Sequence, residues 1–192
     1  MARIGLLGGT FDPPHNGHLI LAETALRELE LDRVILIPAR VQPHKINRVS
    51  ASADDRMKML GLAIGGKSRL EISDVELRRD GPSYTVDTIE KLRILLPGDQ
   101  LFLIMGADNV SEIESWLEPE RIFDLATVAA ANRPNFKAGG RFADAVIYFA
   151  MPPTNISSTE IRAKIGAGES ISGLVSPDVE SYIVRHRLYQ KG

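Results

Sequence analysis

The chain has 192 residues, with 23 Lys and Arg against 25 Asp and Glu, a net charge of −2 at neutral pH and 44% hydrophobic residues. That is enough chain for one well-packed domain, and the near-neutral balance excludes a global pull toward nucleic acid or an anionic membrane, so an acidic ligand must be held by local positive charge. Cysteine is absent, which removes disulfides, thiolate metal sites and cysteine nucleophiles together.

No segment is apolar for long enough to span a bilayer, and the first apolar run is too short for a signal peptide, so the expected location is the cytoplasm. That run, residues 4–7, reads as a strand and leads into Gly8-Gly9-Thr10-Phe11-Asp12-Pro13-Pro14-His15-Asn16-Gly17-His18. The glycines carry no Cβ and let the backbone approach a ligand. A helix is expected from about Gly17, with His18, Ala22, Ala25 and Leu29 on one face. Loop amides and the helix's first N–H groups then face one space, which makes an anion site of Gly8, Gly9, Thr10 and Phe11. His15 and His18, three residues apart, can point the same way.

A strand at 34–37 is followed by a polar, loop-like stretch at 40–53 in which Arg40, His44, Lys45 and Arg48 cluster. This segment could close over an acidic ligand or lie as a solvated loop. Met57, Leu60 and Ile64 then mark a helix, 70–72 a strand, and Val86, Ile89, Leu92 and Leu96 a helix stopped by Pro97-Gly98. After a strand at 101–105 comes Gly106-Ala107-Asp108-Asn109. There Asp108 suits a ribose hydroxyl or a metal-bound water, or else a helix cap. Strands are expected at 126–131 and 146–149, with a connector at 135–141 between them. Unbroken apolar strands alternating with helices give an α/β fold, a Rossmann-like doubly wound, mostly parallel sheet with helices on both faces. The whole of 1–192 reads as one domain whose C-terminal part, about 157–192, is helical.

A second anion site is expected at Ile156-Ser157-Ser158-Thr159-Glu160-Ile161-Arg162. Ser157 with Glu160 forms a capping box, and three hydroxyls, the first amides and Arg162 at a helix start suit the terminal phosphates of a triphosphate. Ser176-Pro177-Asp178 caps a last helix, which reads as structural. Zinc at the histidines would lack a third ligand other than Asp12. A general base is also open, yet phosphoryl and nucleotidyl transfer needs mainly positioning and charge stabilisation, so the histidines are assigned as hydrogen-bond donors to phosphate oxygens.

The first loop and the Ile156–Arg162 segment together resemble the HxGH-type nucleotidylyltransferases, and the chain is similar throughout to the bacterial nicotinate-nucleotide adenylyltransferases. Pro43-His44-Lys45, Ser83-Tyr84-Thr85, Ser115-Trp116 and Asn132-Arg133-Pro134 carry that likeness. It implies transfer of the adenylyl group of ATP to nicotinate mononucleotide with Mg²⁺, giving deamido-NAD and pyrophosphate. His15, His18, Lys45 and Arg162 would be catalytic, and Arg133 and the backbone at 156–158 would hold adenine. Lys45, Tyr84, Thr85 and Trp116 would receive the mononucleotide, with the pyridine ring on Trp116 and its carboxylate on amides near Thr85. No nucleic acid or membrane partner is implied, and a homo-oligomer is left open. Another phosphate acceptor, phosphopantetheine or nicotinamide mononucleotide, and a non-catalytic nucleotide sensor are the competing expectations.

Overall fold

The computed structural model describes residues 1–40, 50–132 and 139–190. Among the described residues six strands, β1 (Arg3–Gly9), β2 (Arg33–Pro38), β3 (Leu70–Ile72), β4 (Gln100–Gly106), β5 (Thr127–Asn132) and β6 (Ile147–Ala150), form one sheet in the order β3-β2-β1-β4-β5-β6. Every neighbouring pair is parallel. The helices are α1 (Asn16–Glu28), α2 (Ala53–Ile64), α3 (Thr85–Leu95), α4 (Pro119–Leu125), α5 (Ser158–Gly166) and α6 (Pro177–Arg185).

Side chains alternate across the sheet as the pleat requires. Ile4, Leu6, Ile35, Leu103 and Val128 join Val86, Ile89 and Leu92 of α3 and Ile122 of α4 on one face. Leu7, Leu36, Phe102, Ile104 and Ala129 meet Ala22, Ala25 and Leu26 of α1 and Leu60 of α2 on the other. Gly5 lies in the middle of this second layer. A Cβ there would stand 2.5 Å from Ile104 Cδ1 and 2.8 Å from Val34 Cγ2, so only glycine lets the layer close.

A third cluster joins Met59 and Ala63 of α2 to Ile161 of α5 and Val179 and Ile183 of α6. The C-terminal helices thereby pack beside α2, next to the carboxyl ends of the central strands. Among the described residues no helix is long and apolar enough to cross a membrane.

Two elements differ from the sequence expectation. The buried stripe of α2 is Arg56, Met59, Leu60 and Ala63, with Met57 only half-buried. The reason is that a charged residue occupies the core-facing position. After β4 the chain forms a 3₁₀ helix, Ala107–Ser115, whose buried Val110 and Ile113 stand three apart as its tighter pitch demands.

Candidate active site

β1 and β4 are neighbours in the sheet but distant in sequence, so the connections turn away from each other between them and leave a crevice at their carboxyl ends. The first loop lies there. Gly8 is exposed, and the place a Cβ would occupy is open; at Gly9 a Cβ would press the Phe11 ring at 3.1 Å. Phe11 adopts a left-handed backbone (φ 51°) with its side chain fully buried, and its ring meets His18 edge-on at 4.8 Å between centroids. A bulky residue held in that region is strained and persists only where the surroundings over-determine it.

His15 is the N-cap of α1, and its ring stacks on His18 with centroids 3.7 Å apart. The His15 amide donates to His18 Nδ1 at 3.2 Å. Nδ1 is thus an acceptor, and the proton of a neutral His18 belongs on Nε2, a fixed donor. Burial pushes the His15 imidazole down to about 4, so this ring is neutral at neutral pH and acts as a dipole rather than a cation.

The second motif folds directly onto the first. Ser157 caps α5, accepting from the Glu160 amide at 3.2 Å. The Ser158 hydroxyl donates to the Pro13 carbonyl at 2.9 Å, and Arg162 Nη1 donates to the Asp12 carbonyl at 2.7 Å. Arg162 Nη2 reaches Thr159 Oγ1 at 3.3 Å. The three hydroxyls are therefore not equivalent: Ser157 closes the helix, Ser158 ties α5 to the loop, and Thr159 braces the guanidinium. Ile156 is half-buried just before the cap.

Beneath the loop lies a polar centre that sequence reasoning missed. The Asp12 carboxylate, 1% exposed, accepts from the Ser50 and Ala51 amides at 2.7 and 3.1 Å and from the Tyr189 hydroxyl at 2.7 Å. Both oxygens are committed, so Asp12 is a structural acceptor here and not the third metal ligand considered from the sequence. Among the described residues no cluster of three metal-ligating side chains occurs. Arg56, 2% exposed, donates from Nη1 to the Thr10 and Ala39 carbonyls at 2.8 and 2.7 Å and so binds the ends of β1 and β2 together. Its signal was an arginine in an otherwise apolar helix stripe. Nothing in the sequence marks Tyr189. The last segment, read as structural, in fact reaches the first loop.

On the other side of the crevice, the Arg40 amide donates to Ser83 Oγ at 3.1 Å, which sets Ser83 beside the end of β2. Arg40 itself is paired with Asp80 at 2.7 Å. Tyr84 is the N-cap of α3 without a side-chain cap, and Thr85 is its first residue, so the amides of that first turn are not capped by a side chain. Buried Glu76 accepts from the Thr88 hydroxyl at 2.8 Å, and burial raises its carboxyl above the usual range, with Thr88, Ser83 and Arg79 opposing. Trp116 closes the 3₁₀ helix, half-buried, and packs with Tyr84 against the same core cluster. Asp108 is exposed in the first turn after β4, where Gly106, not Asp108, is the cap. Lys45 and Arg133, with His44 and Arg48, lie outside the described residues.

Residues 6–164 match the cytidylyltransferase-like family. A probable nicotinate-nucleotide adenylyltransferase of Thermus thermophilus is 44% identical over 188 residues, covering 98% of this chain and 100% of the relative. The chain belongs to this family. A second member, from Geobacillus thermodenitrificans and described in the same words, is 40% identical over 189 residues, covering 98% of this chain and 87% of that one. The nicotinic acid mononucleotide adenylyltransferase of Plasmodium falciparum complexed with NaAD superposes with a TM-score of 0.84 over 98% of both chains. At 20% identity that likeness speaks for the family's fold alone.

Proposed function

We propose that this protein is an enzyme that transfers the adenylyl group of ATP to nicotinate mononucleotide, releasing pyrophosphate and forming deamido-NAD. The observation that carries this reading is the joining of the two phosphate motifs by Arg162 on the Asp12 carbonyl and Ser158 on the Pro13 carbonyl. One triphosphate laid along the loop meets donors at both ends.

The nucleophile is the phosphate of the mononucleotide, already an anion near neutral pH, so the reaction needs no general base. Its barrier lies in bringing two anions together in line. The open face at Gly8 admits the α-phosphate to the loop amides. The His18 Nε2–H donates to a nonbridging oxygen as charge accumulates on it, and neutral His15 stacks behind that ring to hold its plane. Arg162 and Thr159 receive the departing pyrophosphate at the positive end of α5. Ser157 and Ile156 present backbone there, and we assign adenine to that stretch and Arg133. Lys45 is assigned to the reacting phosphates.

Mg²⁺ belongs to the same proposal and would supply charge neutralisation on the triphosphate. Asp108, exposed after β4, would be the carboxylate to hold a water of that ion or a ribose hydroxyl. The acceptor's ring is assigned to Trp116 and Tyr84. Its carboxylate is assigned to the first-turn amides at Thr85, where a charged acceptor gains more than a carboxamide.

The test is pyrophosphate release with ATP and Mg²⁺, comparing nicotinate mononucleotide, nicotinamide mononucleotide and phosphopantetheine. Release with the first well above the others is expected. Release only with another acceptor would keep the ATP half and overturn the roles of Thr85 and Trp116, and ATP binding without any release would identify a sensor.

A further inference from the structure

The chain beyond α6 does not simply trail over the surface. Leu188 packs into the cluster formed by α2, α5 and α6, and its amide donates to the Ile183 carbonyl at 3.0 Å. Arg187 and Tyr189 both adopt left-handed backbone, φ 51° and 64°. Two such residues so close together are costly for side chains with a Cβ, and they turn the chain back toward the sheet. The turn delivers the Tyr189 hydroxyl to Asp12 Oδ1 at 2.7 Å.

We infer that Tyr189 is a positioning residue for the transfer: through the Asp12 carboxylate it fixes the first loop and the approach to α2 in the geometry the reaction requires. This rests on the adenylyl-transfer reading above.

Three segments converge on Asp12. Its Oδ2 accepts from Ser50 and its Oδ1 from Ala51, at the entry to α2, and Oδ1 also takes the phenol. The carbonyl of the same residue holds Arg162, and the next residue's carbonyl holds Ser158. A shift of Asp12 would therefore move both ends of the phosphate site at once. The nearby Arg56 guanidinium balances the carboxylate's charge, and its own bonds go to the Thr10 and Ala39 carbonyls. Among the described residues the phenol is the side chain that donates to Asp12. Burial and the Asp12 charge raise the Tyr189 phenol far above its ordinary range, so it keeps its proton and donates at neutral pH.

Phenylalanine at 189 preserves packing and removes only the donor. For Tyr189→Phe we expect kcat to fall about tenfold, the scale of one hydrogen bond to a charged acceptor, with KM for ATP and for the mononucleotide each within about twofold. In ligand-free protein, hydrogen exchange at the Ser50 and Ala51 amides should speed up by a similar factor, because their shared acceptor is loosened. An unchanged kcat, or a loss carried wholly by KM, would overturn the positioning role. The exchange measurement needs no acceptor, and the kcat comparison is run with whichever acceptor the wild type uses. An inactive wild type therefore defeats the reaction assignment, while unaltered exchange defeats the clamp.

Discussion

Arg162 Nη1 donates to the backbone carbonyl of Asp12 at 2.7 Å, across 150 positions of sequence. This contact makes one site of two motifs, and it fixes how the guanidinium is presented. One nitrogen is anchored on the loop and the other on Thr159, so the group is held as a braced fork. Lysine has the charge without the fork. Arg162→Lys should lower kcat/KM for ATP by about 10²-fold while circular dichroism and Tm stay near wild type. A steady-state comparison decides, and a loss below about threefold would show that charge alone suffices.

The His15 amide donates to His18 Nδ1, which orients the ring. The role assigned to it above is donation from Nε2. His18→Ala should reduce kcat by about 10²–10³, as removal of one oxyanion-type donor does, with little change in mononucleotide KM. His18→Asn, which keeps a short donor, should recover part of the loss. A variant with wild-type kcat would remove His18 from the mechanism.

His15 gives the fold a pH dependence whose sign is fixed by burial. Its pKa falls from 6.5 to about 4 in the folded protein, so between those values the unfolded chain holds a proton that the folded chain refuses. This contribution to stability is complete above pH 6.5 and declines as the pH falls to about 4, by roughly 3 kcal/mol in all. Urea unfolding at pH 7, 5.5 and 4 should show that decline. His15→Gln should flatten this part of the profile, and an equal slope in both proteins would assign it elsewhere.

Trp116 is half-buried on the cluster that also holds Tyr84, and the acceptor's ring is assigned to it above. Trp116→Ala should raise KM for the mononucleotide about tenfold or more and leave ATP binding close to wild type, since stacking on a base-like ring is worth about 1–3 kcal/mol. Equal weakening of both substrates, with a lowered Tm, would make it a packing residue only.

The sequence by itself determined the layers and the local form of the two motifs assigned to phosphate. Unbroken apolar strands such as β4, separated by helices with a 3.6-residue stripe, allow only a sheet covered on both faces. The glycines after β1 and the Ser157 cap act over a few residues, so their chemistry is written locally. Strand order was not legible, because parallel pairing such as Ile4 with Leu101 is decided by distant segments. The tertiary structure alone brought Arg162 to Asp12, placed Arg56 under the loop and returned Tyr189 to the first turn of chain. Each of these joins a polar side chain to a partner far away in sequence. Each exists because a buried carbonyl or carboxylate must find a donor wherever the packed elements put one. Local pattern carries the face a residue presents. The identity of its buried partner depends on how whole layers stack, and that appears only once they do.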